Sequence, residues 1–205
     1  MCEVLQSFGV GAYLKHFAAN EAETDRLTVN SVVDDRALNE IYLLPFEIAV
    51  EDANPWTMMA AYNDVKGIAA TEHGDLIHGV LKGRWGWDGM VMSDFFATKT
   101  TVPSANSGLD LVMPGPLGPW GDQLLAAVQA GEVAEDVVRE HARRLLRLAG
   151  REAAWSPGWT RQPPPFLPDC SILIEYVLVS LSEGQFYDLT PYRACALRSI
   201  DESTR

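Results

Sequence analysis

An aspartate that closes a short apolar run is the residue in this chain best placed to do chemistry. Asp94 follows Met90, Val91, Met92 and Ser93, and Asp88 and Gly89 precede the run. A short apolar run between turn residues predicts a buried parallel strand that delivers the carboxylate at its C-terminal end. In parallel α/β proteins that end is where reacting groups gather, and a carboxylate there can attack an electrophilic carbon without a separate base. The competing reading is that Asp94 caps the helix that follows, a role that Asp often takes.

A second pair stands at the end of another β-compatible stretch. Val10 to Phe17 reads as a strand whose end presents Lys15 and His16, a cation beside an imidazole. Lys15 so placed also admits Schiff-base chemistry of the aldolase kind. A metal site drawn from His16, Glu21, Glu23, Asp25, His73 or His78 has little support. His73 and His78 are five apart, about 140° from one another on a helix, and the acidic run Glu21 to Asp25 reads as a solvated loop. No cofactor is implied.

The elements that must position these residues alternate along the chain. After a polar loop, Glu21 to Asn30, an amphipathic helix starts at Asp34 and Asp35. Leu38, Ile41, Tyr42, Pro45, Phe46 and Ala49 form its sheet-facing stripe, with a bend expected at Pro45. Trp56 to Tyr62 is a second strand, and Asn63, Asp64 and Gly67 supply its turn. Thr71 is expected to cap the next helix, whose apolar side is Leu76, Ile77, Val80 and Leu81, before the strand that carries Asp94. A short helix at Thr101 to Asn106 and a fourth strand at Leu109 to Met113 follow, then helices near Gly121 to Ala130 and Ala134 to Leu148. Strand and helix in alternation predict an α/β fold with a parallel sheet, either a barrel or a doubly wound sheet.

The whole chain sets outer limits. Its 205 residues, 47% hydrophobic, are enough for a sizeable core, and 16 Lys and Arg against 28 Asp and Glu leave a formal net charge of -12. Neither nucleic acid nor an anionic membrane suits so acidic a chain, whereas a neutral polyol does. Cys2, Cys170 and Cys195 show no spacing for zinc or a disulfide framework, no leader or membrane-length run is visible, and the expected compartment is the cytoplasm. Past Gly150 the prolines cluster, so the chain divides into an α/β part, 1–150, and an irregular tail, 151–205.

Lys15, His16 and Phe17, the stretch Arg36 to Glu47, Met59 to Asn63, Trp85 to Gly89, Ser93 with Asp94, and Gly108 to Gly115 together resemble family 3 of the glycoside hydrolases, in its β-glucosidase branch. The resemblance runs from about Gly9 to Gly150. It implies the later half of a TIM-like barrel that is incomplete at its N-terminal side, since a whole barrel takes about 250 residues. A retaining, exo-acting β-glucosidase that cleaves terminal β-linked sugars through a covalent glycosyl-aspartate is the activity implied, with Asp94 as the nucleophile. Lys15 and His16 match the family's pair for sugar hydroxyls, Tyr62 resembles the tyrosine near the nucleophile that helps position it or the sugar, and Arg26 resembles an arginine that follows the Lys-His motif and braces the site or reaches a hydroxyl. The motif set around Asp94 is one an aldolase would not need.

Several positions depart from that pattern. Phe95 replaces a frequent tryptophan, which bears on subsite choice, and Lys66 and His73 replace frequent asparagines. Residues that the family places on earlier strands have no counterpart, and its acid/base glutamate belongs to a second domain that is absent here. Glu175 and Glu183 carry no motif for that role. The expected substrate is therefore a small β-glycoside, with a complementing chain supplying the missing strands and acid. The alternative is a non-catalytic or merely sugar-binding remnant.

Overall fold

A computed structural model of the protein describes residues 1–115 and 118–153. Its strands are β1 (Tyr13–Phe17), β2 (Asn30–Ser31), β3 (Thr57–Ala60), β4 (Asp64–Val65), β5 (Ile68–Ala69) and β6 (Met90–Ser93). β1, β3 and β6 form one parallel sheet in chain order, with Thr57 opposite both Tyr13 and Met90. Helical segments separate these strands, so the chain is mixed α/β and forms part of a TIM-like barrel. The fourth strand expected at Leu109 to Met113 is reduced to a single parallel bridge between Leu111 and Met92.

Every residue of β3 is buried, as are Met90, Val91 and Ser93 of β6. Unbroken apolar runs of this kind belong to strands covered on both faces. The cover over β1 and β3 comes from Leu38, Leu43 and Val50, which join Phe17, Met58 and Ala60 in the main core. Phe17 sits edge-on to Phe46 at 5.2 Å between ring centroids.

The helix after β2 is less regular than its sequence pattern suggests. Asp34 caps it by accepting from the Ala37 N–H at 2.8 Å, then Leu38–Leu43 is π-helical and Leu44–Ala53 α-helical. Pro45, where a bend was expected, lies in the first turn of the α-helical part, where its missing N–H is tolerated. The wider π turn, bonded i to i+5, places Leu38 and Leu43 on the buried side and turns Ile41 outward, so Ile41 does not belong to the core stripe.

Two other local expectations are corrected. Thr71 caps no helix: it lies in the 3-10 turn Ala70–Glu72, its hydroxyl has no partner, and the next helix spans Asp75–Arg84 behind Gly74. Leu76, Ile77 and Leu81 are its buried side, as expected. The turn after β3 is made by Lys66 and Gly67, with φ of 53° and 85°, which join β4 to antiparallel β5. Such left-handed pairs close tight hairpins, and Gly takes that conformation without strain.

Asn63 is therefore a core clamp rather than a turn residue. Fully buried, its Nδ2 faces the carbonyl oxygens of Ala18, Ala19 and Asp64 and the Ser31 hydroxyl at 3.1–3.2 Å. It ties the loop after β1 to the end of β3. Of the helices expected at the C-terminal side, Asp122–Gln129 and Glu135–Ala153 are present, the latter running through Gly150. The remainder of the expected tail, 154–205, lies outside the described residues.

Replacing Asn63 by Ala strips buried carbonyls of their donor. Asn63→Ala is expected to destabilise the fold by about 1–3 kcal/mol, read as a lower urea midpoint with an unchanged slope. An unchanged midpoint would contradict the clamp.

Candidate active site

Parallel register brings three strand ends to one place. The Ala61 N–H donates to the Phe17 carbonyl at 2.8 Å, the Asp94 N–H to the Ala60 carbonyl at 3.2 Å, and the Ser93 N–H to the Leu111 carbonyl at 2.9 Å. The residues at and just past the ends of β1, β3 and β6 are thereby neighbours, and among them are His16, Tyr62 and Asp94.

Asp94 is 8% exposed. One carboxylate oxygen, Oδ2, lies 3.1 Å from His16 Nε2, and the other, Oδ1, accepts from the Phe95 N–H at 2.7 Å. It does not cap a helix, because the next one begins only at Val102. The rival reading of Asp94 is thus removed by the loop that follows it.

His16 reaches Asp94 from an irregular strand. Tyr13 and Leu14 pair with Thr57 and Met58, but Phe17 pairs with Ala60, so β1 takes three steps where β3 takes two. The extra residue falls at Lys15 and His16, and bulges of this kind redirect side chains. Lys15 is exposed, and among the described residues it makes no ion pair or side-chain hydrogen bond.

Tyr62 is buried just past the end of β3, beside Asp94. Burial first, and then the neighbouring Asp94 carboxylate, raise its pKa above the ordinary 10.0, so the phenol stays protonated. Arg26 does not contact Asp94. Its guanidinium carbon stands 4.6 Å over the Tyr62 ring while Nη1 bonds Glu23 at 2.9 Å. Phe95 and Phe96 are both more than half exposed beside this cluster. The result is a carboxylate held by an imidazole and a backbone N–H, with a buried phenol beside it. Such an arrangement can present one oxygen to an electrophilic carbon.

The sequence pointed to His16, Tyr62 and Asp94, which the structure brings together, and to Lys15 and Arg26, which stand one step away. His73 and His78, weighed as ligands, serve other ends. Burial lowers the pKa of each, and the His78 ring packs on Gly108, whose φ is 93° and where an added Cβ would lie 2.9 Å from His78 Nε2. Among the described residues no group of three His, Cys, Asp or Glu is placed to hold a metal.

A buried ion cluster escaped the sequence reading. Asp110, 2% exposed, receives Lys82 Nζ at 2.7 Å, His141 Nδ1 at 3.0 Å and Arg144 Nη1 at 3.2 Å, and its Oδ2 also accepts the Val91 N–H. His141 Nε2 faces the Ala105 carbonyl at 3.1 Å. The cluster fastens helices Asp75–Arg84 and Glu135–Ala153 to the middle of β6. Burial pushes the Asp110 carboxyl up, but the His141 bond and the charges of Lys82 and Arg144 outweigh it, and the net direction is down. Burial likewise brings Lys82 down to about 8. The signal available was Asp110 in an apolar run together with His141 on the apolar side of a helix, yet only the fold joins them.

Comparison with known proteins places these features in context. A family model described as "Glycosyl hydrolase family 3 N terminal domain" matches residues 1–148. Beta-glucosidase B of Emericella nidulans is 50% identical over 149 residues, which are 72% of this chain and 18% of that protein. A beta-glucosidase of Rhizobium radiobacter is 48% identical over 151 residues, 74% of this chain and 18% of its own. Among solved structures, beta-glucosidase from Kluyveromyces marxianus in complex with glucose aligns with a TM-score of 0.74 at 33% identity, covering 84% of this chain and 21% of that one. Beta-glucosidase 3B of Thermotoga neapolitana in complex with glucose gives 0.71 at 34%, covering 86% and 25%. The chain spans about a fifth of the length of the curated relatives it matches.

The ion cluster makes a pH-dependent prediction. Because the folded-state pKa of Asp110 is depressed, its stabilisation is complete above the ordinary value of 3.8 and is lost as pH falls through the folded value. Asp110→Asn leaves Lys82 and Arg144 buried without their anion, an expected loss of about 3–5 kcal/mol near neutral pH. Urea unfolding of both proteins should show that gap narrowing as the pH is taken well below 3.8, and a gap independent of pH would contradict the assignment.

Proposed function

The chain belongs to glycosyl hydrolase family 3, and on that premise we propose that residues 1–150 form the part of a β-glucosidase barrel that carries its nucleophile, Asp94. The observation that supports this most is the placement of Asp94 at the C-terminal end of β6, nearly buried, with one oxygen 3.1 Å from His16 Nε2. Named relatives with up to 50% identity are beta-glucosidases, which supports a terminal β-linked glucoside as the substrate class.

In this reading a carboxylate oxygen of Asp94 attacks the anomeric carbon as the bond to the leaving oxygen breaks. The leaving oxygen takes its proton from a carboxylic acid about 5–5.5 Å from the nucleophile, and water then hydrolyses the glycosyl-aspartate with retention. His16 holds the carboxylate, Tyr62 stands beside it, and together they fix which oxygen attacks. Lys15, exposed at the bulge of β1, reaches a sugar hydroxyl, and Arg26 braces Tyr62. No described element supplies the proton donor in this scheme: it is assigned to a carboxyl outside residues 1–150, from another part of the same protein or from a complementing chain.

Two outcomes follow. Incubating the 205-residue chain with a 2-deoxy-2-fluoro glucoside bearing a good leaving group is expected to add one glycosyl mass at Asp94, since such a group departs with little help from an acid. Asp94→Asn should take up none. Labelling elsewhere, or of the variant equally, would overturn the assignment. Turnover of a glucoside with a poor leaving group by this chain alone is expected to be about 10²–10⁴-fold below that of an enzyme with its acid in place. Turnover at an ordinary rate would show that the acid lies within the chain.

A further inference from the structure

The loop between β1 and β2 is shaped around one carboxylate that has no place in the scheme above. Glu23 Oε2 holds Arg26 Nη1 at 2.9 Å, and its other oxygen lies 3.4 Å from Asn20 Nδ2. The Asp25 carbonyl accepts from the Thr28 and Val29 N–H groups at 2.8 and 2.9 Å, closing the turn in which Arg26 sits. Lys99 Nζ donates to the Leu27 carbonyl at 2.8 Å, so the loop is also tied to the segment that follows Asp94.

The Glu23–Arg26 pair is about half exposed on both sides, 62% and 47%. An isolated exposed pair of this kind adds little to stability. Its effect lies in geometry: Glu23 holds the guanidinium whose carbon stands 4.6 Å from the centroid of the Tyr62 ring. Tyr62 in turn lies beside Asp94, whose N–H is bonded to the carbonyl of Ala60, two residues before Tyr62. Each contact leads one step closer to the carboxylate: Glu23 to Arg26, Arg26 to Tyr62, Tyr62 to Asp94.

We infer that Glu23 is a positioning residue, which by holding Arg26 over the Tyr62 ring fixes the phenol beside Asp94 and so helps to orient that carboxylate. The inference rests on Asp94 being the nucleophile, but its first step, from Glu23 to Arg26, can be read without any reaction. Without Glu23 the arginine is free to swing to solvent, Tyr62 loses its cover, and the reactive oxygen of Asp94 loses its fixed aim. Misplacement at a reacting atom lowers rate far more than it lowers stability.

The test uses the full 205-residue chain, isotope-labelled for NMR, as wild type and as Glu23→Gln. Protons of the Arg26 side chain over the Tyr62 ring are expected to be shifted upfield in the wild type and to return to the free-arginine position in Glu23→Gln, with Glu23→Asp recovering part of the shift. Labelling by the 2-deoxy-2-fluoro glucoside is expected to slow about 10- to 100-fold in Glu23→Gln while the urea midpoint stays put. Unmoved Arg26 signals in Glu23→Gln, or moved signals with an unchanged labelling rate, would overturn the inference. A wild type that takes up no label contradicts the nucleophile assignment instead, and the Arg26 signals alone then decide whether Glu23 holds Arg26.

Discussion

Parallel register between β1, β3 and β6 is the constraint on which everything else depends. Because Thr57 stands opposite both Tyr13 and Met90, the three strands end together, and hydrogen bonds from Ala61 to Phe17 and from Asp94 to Ala60 lock those ends. A one-residue slip would send every side chain of a strand to the opposite face. His16 would leave Asp94, and the buried methionines of β3 would exchange places with one another. The same pairing that buries the sheet therefore builds the carboxylate site.

Burial and polarity meet in two places to hold that register. Asn63 stitches the loop after β1 to the end of β3, satisfying carbonyls that would otherwise be buried without donors. On the helix side, Asp110 gathers Lys82, His141 and Arg144 around the Val91 N–H, so the strand carrying Asp94 is anchored from behind by charges on two helices. Buried ion clusters are poor sources of stability compared with apolar packing, but they admit few alternative arrangements. Here the arrangement fixes β6 relative to the helices.

Much of this was legible in the sequence, for reasons that can be named. The strands were visible because Trp56 to Tyr62 is mostly apolar and Met90 to Met92 wholly so, and Asp94 stood out because it follows such a run. Lys15 and His16 stood out as a cation and an imidazole at a strand end, whereas Tyr62 drew notice only through the family pattern. What local pattern hid was always a matter of three-dimensional pairing. Asn63 looked like a turn residue because Asp64 and Gly67 follow it, and Thr71 looked like a cap because Glu72 does. Ile41 fitted a 3.6-residue stripe that the π-helical turn then displaced, and the bulge that turns His16 toward Asp94 depends on β3, which begins 40 residues after β1 ends. Asp110 and His141 are 31 residues apart, and nothing between them announces their contact.

The account stands on the joined strand ends, and amide hydrogen exchange in the 205-residue chain measures them directly. The N–H groups of Ala61, Ser93 and Asp94 are each bonded across the sheet, so the account predicts that they exchange as slowly as the central amides of β3 and β6. Exchange of all three at the rate of an unstructured peptide, with β3 and β6 protected or not, would mean that His16, Tyr62 and Asp94 are not assembled in this chain.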